Sequence, residues 1–189
     1  MDVVCRGVPS PRIWELYLNS ERKKLGADID YAYFRDKTRY GYKYTQLRLD
    51  SNGRAYLRGG VDWNPYLRSF FSNSNTRPSC FMCAFRTALR NSDITLWDCL
   101  DIEKYGVQMD DQGTTRVLIH TQKGLECFNE IKGNLKYVEI EADRAIKGVR
   151  ELERNKVINS DRDTLFKALQ DEHTFAETWK TLYKRSPET

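Results

Sequence analysis

Tyr42-Lys-Tyr-Thr-Gln-Leu-Arg-Leu49 and Arg54-Ala-Tyr-Leu-Arg58 alternate apolar and polar residues on either side of Asp50-Ser-Asn-Gly53. A period of two marks a strand with one buried face, and Asn-Gly accepts the positive φ that a tight hairpin loop demands. The stretch predicts an antiparallel hairpin. Upstream, Asp28-Ile-Asp-Tyr-Ala-Tyr-Phe34 alternates again and adds a strand. The aromatic residues of this region (Tyr31, Tyr33, Phe34, Tyr40, Tyr42, Tyr44 and Tyr56) have two readings. They form a packed sheet face, or a face on which a planar ring such as a flavin stacks.

Helices surround these strands. Ser10 suits an N-cap and Pro11 the first helical position, where its missing N–H costs nothing. Ile13, Trp14, Leu16, Tyr17 and Leu18 then give one apolar face up to Leu25, where Gly26 stops the helix. Gly59-Gly60 reads as a mobile joint, and Asn64-Pro-Tyr-Leu-Arg-Ser-Phe-Phe71 as a short helix capped by Asn64. Further on, Asp93–Trp97 and Thr115–His120 read as strands, the second as the central one. Thr121 caps a helix over Lys123–Lys132, and Tyr137–Ile140 is a final strand. Helices over 142–154, 160–171 and 174–185 close the chain. The expected class is α+β: a mixed β-sheet with an antiparallel hairpin, helices packed on it and a helical C-terminal tail. The expected division is residues 1–140 as one α+β domain and 141–189 as a helical extension.

The 189 residues suffice for a core without disulfide staples. With 40% hydrophobic and 31% charged residues, the composition is that of an ordinary globular chain. A net charge of +4, with both signs interspersed, gives no footprint for nucleic acid. No apolar run approaches the roughly 18 residues of a membrane span, and no signal peptide opens the chain. The reading is therefore a cytoplasmic protein with reduced cysteines. Strand-forming residues start almost at Met1, which suggests preceding sequence.

The chemistry concentrates in Thr76-Arg-Pro-Ser-Cys80-Phe-Met-Cys83-Ala-Phe-Arg86 and Ser92-Asp-Ile-Thr-Leu-Trp-Asp-Cys99. A Cys-x-x-Cys pair supplies half of a tetrahedral thiolate site, for zinc or an iron–sulfur cluster, or else a redox dithiol. No thioredoxin-like pattern surrounds it. With Cys5 and Cys99 the pair would make four thiolates, provided strands 2–5 and 93–98 are neighbours. Such a set suits a [4Fe–4S] cluster or zinc, while the plain alternative is ordinary buried cysteines. Cys127 adjoins an apolar helical stripe and reads as core. His120 ends a strand, where a general acid or base could sit, though a lone histidine there is commonly structural. Asp93, Asp98 and Asp101 lie near the cysteines, where one could serve as a general base, while the plain reading is that they hydrogen-bond the turn.

These stretches resemble the C-terminal domain of the coenzyme F420 hydrogenase/dehydrogenase beta-subunit family. Members read roughly Arg-Pro-Ser-Cys-Tyr-x-Cys-x-Phe and then Ser-Asp-Ile-Thr-(Ile/Leu)-Gly-Asp-Phe-Trp-Gly. Asp2-Val-Val-Cys-Arg-Gly-Val-Pro-Ser10 is similar to the family's opening, and Phe34-Arg-Asp-Lys37 also matches. So do Asn64-Pro-Tyr-Leu-Arg-Ser-Phe70, Asp110-Asp-Gln-Gly-Thr-Thr-Arg-Val-Leu-Ile119 and Thr121-Gln-Lys-Gly124. The resemblance implies an iron–sulfur, flavin-linked electron-transfer domain of oxidoreductase type. Its partner would be a redox protein or an upstream ferredoxin-like module. Cys5, Cys80 and Cys83 match recurrent family cysteines, and Cys99 would be a fourth ligand. Arg77 and Arg86 would face an anionic cluster or a cofactor phosphate, with Asp98 completing the candidate cofactor-binding set. The chain departs from the pattern at Trp97-Asp98-Cys99-Leu100-Asp101, where both family glycines are replaced. The rival reading is a non-catalytic partner domain in a polysaccharide-biosynthesis or redox assembly, with zinc or no metal at the cysteines.

Overall fold

A computed structural model describes residues 1–39 and 41–183, apart from the side chain of Glu172. Tyr40 and the end of the last expected helix, 184–185, lie outside the described residues. In chain order the elements are β1 (Asp2–Val3), α1 (Pro11–Leu25), β2 (Tyr31–Tyr33), β3 (Gln46–Ser51), β4 (Arg54–Gly60) and α2 (Pro65–Phe71). There follow β5 (Ile94–Asp98), β6 (Thr115–Ile119), α3 (Gln122–Ile131), α4 (Ala142–Ile146), α5 (Arg150–Glu153), α6 (Asp161–Lys167) and α7 (Glu172–Leu182). The architecture is α+β, as the hydropathy pattern requires. Its strands form two three-stranded sheets, one mixed and one antiparallel. Among the described residues no helix is long and apolar enough to cross a membrane.

Two compact units interleave along the chain. One comprises Met1–Arg6 and Met82–Asn155, and the other Gly7–Phe81 and Lys156 onward.

The first unit holds the sheet β1-β5-β6. β1 runs parallel to β5, pairing Asp2 with Thr95 and Val3 with Leu96, so the neighbour relation expected for these two segments holds. β6 pairs antiparallel with β5, from Ile94–Ile119 to Asp98–Thr115. The central strand is therefore β5, and β6 is an edge, contrary to the expectation from its apolar, β-branched character. That composition reports burial on a face, not the number of paired neighbours. Thr121 caps α3 as expected, its hydroxyl accepting the Gly124 N–H at 3.1 Å. Tyr137–Ile140 joins no ladder among the described residues. Tyr137 and Val138 are exposed, as are Leu125 and Ile131 of α3. Cys127, expected in the core, is also exposed. The helix expected over 142–154 breaks into α4 and α5 around Gly148, which takes φ +80°.

The second unit is built on the hairpin. Ser51 pairs with Arg54 across a two-residue loop in which Asn52 and Gly53 take φ of 50° and 71°. β2 adds to the other side of β3 through Tyr31–Asp50, Ala32–Leu49 and Tyr33–Arg48. Gly59 and Gly60 are not a joint. They lie within β4, paired with Leu47 and Gln46, and a Cβ at 59 would meet the Trp63 ring at 2.5 Å. Ser10 and Gly26 bound α1 as expected, although the Ser10 side chain makes no capping hydrogen bond. Asn64 caps α2 by accepting the Leu67 N–H at 3.1 Å, and it donates to the Tyr17 hydroxyl at 2.9 Å. The core joins Ile13, Leu16 and Tyr17 of α1, Leu47 and Leu49 of β3, Leu165 of α6, and Phe175 and Trp179 of α7. Each fully buried Ile or Leu contributes about 1.5–3 kcal/mol of burial. Below the sheet's polar edge, Asp36 is 5% exposed and holds both Arg48 and Arg58, while Arg48 also grips Asp50 at 2.8 and 3.0 Å.

Candidate functional site

The chain reaches Cys80 along a loop whose polar side chains are committed to its shape. Ser74, Asn75 and Thr76 are fully buried. The Ser69 carbonyl accepts the hydroxyls of Ser72 at 3.2 Å and Ser74 at 3.0 Å, and the Asn75 side-chain amide donates to the Ser69 hydroxyl at 2.7 Å. On the opposite side, Pro9 bridges to Thr76. Ser10 N–H reaches Asn75 O at 2.8 Å, and Arg77 N–H reaches Val8 O at 2.9 Å. Arg162 donates to Thr76 O at 3.2 and 3.3 Å, and Lys156 Nζ to Asn73 Oδ1 at 2.8 Å. Such a dense set resists rearrangement of the loop, because a buried polar group that loses its partner is costly.

A 3-10 turn, Pro78–Met82, follows. It suits the sequence because Pro78 has a fixed φ and no N–H to satisfy. The Cys80 N–H donates to Arg77 O at 3.1 Å, and the Cys80 sulfur accepts the Val8 N–H at 3.4 Å. Cys80 is half-buried.

In the first unit Cys83 is half-buried, and its carbonyl accepts the Arg86 N–H at 3.2 Å. The Arg86 guanidinium donates to the carbonyls of Arg154 at 2.9 Å, Arg6 at 3.0 Å and Cys5 at 3.5 Å. This arginine, read from sequence as facing a cofactor, is directed at the main chain. Cys5 is exposed after β1. Cys99 is 2% exposed, and its sulfur lies 3.8 Å from Asp101 Oδ1. Asp101 also takes Lys104 at 2.9 Å and Arg116. The Lys104 hydrogen bond, against a smaller burial effect and with the Arg116 charge, holds the Asp101 carboxyl below the usual carboxylate range. Asp98 is exposed at the end of β5, and Arg77 is exposed in the second unit. Trp97, which stands where the family pattern has its first glycine, is 9% exposed within β5.

Cys5, Cys83 and Cys99 thus belong to one unit and Cys80 to the other. All five cysteines are free thiols. Among the described residues no three His, Cys, Asp or Glu side chains are gathered as a metal-ligand group. The fit to a [4Fe–4S] cluster rests on the Cys-x-x-Cys spacing and the amide on Cys80.

Two further motifs have structural partners that sequence reading missed. Asp93 Oδ1 accepts the Thr121 hydroxyl at 2.6 Å, while Asp93 O accepts the His120 N–H at 2.9 Å. Gly124 packs directly on that carbonyl: a Cβ there would fall 2.5 Å from Asp93 O. Ser-Asp-Ile-Thr95 and Thr121-x-x-Gly124 therefore interlock. The cue was present in the sequence, since a threonine three residues before a helical glycine allows both a cap and a close approach.

Comparison with known proteins agrees with the motif pattern. The family described as the C terminus of the beta subunit of coenzyme F420 hydrogenase/dehydrogenase matches residues 1–144. No curated protein matches the chain. No solved structure matches it either.

Proposed function

Since the chain belongs to the family formed by the C-terminal region of coenzyme F420 hydrogenase/dehydrogenase beta subunits, we propose that it is an electron-transfer domain of a multi-subunit redox complex. The observation that carries this reading is the Val8 N–H at 3.4 Å from the Cys80 sulfur, in a loop that buried hydrogen bonds hold fixed. Amides on sulfur are among the features that set cluster potentials. Cys80 and Cys83 are the first two thiolate ligands. Exposed Cys5 is the third, recruited when a redox partner or a ferredoxin-like module docks. Cys99 becomes the fourth only by leaving its place beside Asp101. A bound iron–sulfur cluster would supply one-electron chemistry, and this chain's part is to hold and shield it. A flavin, if bound, would offer its phosphate to the exposed Arg77.

Anaerobic purification tests the reading. Brown protein absorbing near ~400 nm, with iron and sulfide lost in Cys80→Ser, is the expected result. Colourless, iron-free protein overturns it.

A second reading is favoured by the bulky Trp97 in place of glycine and by the burial of Cys99. Here the chain is a non-catalytic partner domain in a redox or polysaccharide-biosynthesis assembly. Zinc at one equivalent without iron, or no metal at all, supports it.

A further inference from the structure

Thr95 lies between two titratable groups. It is fully buried on β5, with its hydroxyl 2.5 Å from Asp2 Oδ1 and 2.8 Å from His120 Nε2. A threonine hydroxyl has one proton to give, and a carboxylate can only accept. The Thr95 proton therefore goes to Asp2. It follows that His120 Nε2 carries a hydrogen and donates it to Thr95. In a neutral imidazole this leaves the lone pair on Nδ1.

The inner end of this chain is charged. Burial pushes the Asp2 carboxyl up, but hydrogen bonds from Thr95 and Ser92 and the charges of Arg90 and His120 outweigh it and hold the group below its ordinary value. Arg90 Nη1 is 3.2 Å from Asp2 Oδ2, and the Arg90 side chain is 5% exposed. Carboxylate, hydroxyl and imidazole are thus linked in series across β1, β5 and β6. His120 itself is half-buried at the end of β6. A charged carboxylate that fixes a histidine tautomer and can stabilise the imidazolium is the arrangement that makes a histidine a useful base.

We infer that His120 is a proton-accepting site, at which Nδ1 takes the proton of an N–H or O–H acid bound beside the end of β6, with Thr95 and Asp2 as positioning residues. The ligand's N–H or O–H bond breaks and an Nδ1–H bond forms. The electron pair stays on the ligand, and no electron is transferred. Asp2, through the Thr95 hydroxyl, balances the imidazolium charge. The other charged groups around His120 are Arg90 on Asp2, the Asp93 carboxylate, Lys123 of α3 and the amino group of Met1, the last two acting on Asp93. The site needs no metal and stands whether or not iron is found at the cysteines.

Imidazole ¹⁵N NMR on the full chain between pH 5 and 9 tests this, with His173 on α7, whose side chain is 84% exposed, as an internal reference. Neutral His120 is expected as the Nε2–H form, with its lone pair on Nδ1. Asp2→Asn is expected to lose the tautomer preference of His120, because an amide can donate to the Thr95 hydroxyl as well as accept from it. Thr95→Val releases the tautomer preference and Thr95→Ser restores it. A neutral Nδ1–H form overturns the assignment. So does an Asp2→Asn protein with an intact amide spectrum and an unchanged His120 tautomer balance. Should Thr95→Val fail to fold, Asp2→Asn decides alone.

Discussion

Replacing Gly124 by alanine sets two physical effects against each other. In a helix interior, alanine is favoured over glycine by about 1 kcal/mol, so propensity alone predicts a gain. The geometry predicts a loss. The new Cβ would sit 2.5 Å from Asp93 O, 3.1 Å from Asp93 C and 3.1 Å from Ile94 Cγ1. Ordinary contact requires α3 to retreat by roughly 1 Å. The retreat is opposed by the 2.6 Å hydrogen bond between Thr121 and Asp93, and the carbonyl cannot yield freely because it accepts the His120 N–H. Overpacking costs about 1–3 kcal/mol and a strained hydrogen bond about 1 kcal/mol more. After the propensity gain, the expected net loss is about 1–3 kcal/mol. Urea denaturation should show it as a midpoint lower by about 1 M, for a slope of about 2 kcal/mol/M. Hydrogen exchange should place the loss in α3, whose sole buried residue is Gly124. Gly133→Ala is the control. A Cβ at 133 meets nothing within 4 Å, so the change should be neutral or stabilising by up to about 1 kcal/mol. If Gly124→Ala proves as stable as the parent or more so, the close approach of α3 to Asp93 is wrong.

Two other outcomes follow from burial and charge. Asp36→Asn removes the carboxylate that Arg48 and Arg58 share, although Arg48 keeps Asp50 and Arg58 keeps Thr38, and should cost about 1.5–3 kcal/mol at neutral pH. Burial pushes the Asp36 carboxyl up, but hydrogen bonds from Thr38 and the charges of Arg48 and Arg58 hold it below its ordinary value. Its stabilisation is therefore full above the unfolded value near 3.8 and is lost as pH falls through the lower native value. Parent and variant stabilities should converge in acid, and a gap that persists there refutes the account. Thiol titration should find Cys5 and Cys127 fast, Cys80 and Cys83 slower, and Cys99 reactive only after unfolding. Rapid labelling of Cys99 in the native protein would contradict its burial.

Local signals carried most of the legible structure. Asn52-Gly53 determines its hairpin because the required φ values belong to those two residues. Asn64 and Thr121 specify helix starts through their own side chains. Where partners come from distant sequence, reading failed. Tyr137–Ile140 has strand character, but a strand needs a neighbour and this segment has none among the described residues. Gly59-Gly60 has the composition of a joint, yet its backbone is spent on β3 and its missing side chains make room for Trp63. Cys127 adjoins an apolar stripe that is itself largely exposed. At the candidate site, Cys-x-x-Cys was visible because its spacing is local. The link from Asp2 to His120 was not, because Thr95 acquires both partners only when β1 and β6 flank β5.

The family motifs divide along β5 itself. At its start, Asp93 and Thr95 are engaged by Thr121, Asp2 and His120, and Gly124 closes on the same turn. Asp93, Thr95, Thr121 and Gly124 retain the family pattern, and together they build the scaffold. At its end, Trp97 and Cys99 depart from the pattern and are packed inward. That end is where the pattern would place glycine beside a cofactor. Family membership thus rests largely on residues committed to architecture, whereas the electron-transfer proposal rests on sulfur. Iron analysis interrogates the cysteines, and imidazole NMR interrogates the opposite end of the strand. A chain that fails the first and passes the second would have kept a proton site on a scaffold that no longer holds a cluster, and the converse result would make His120 a structural histidine beside a working redox centre.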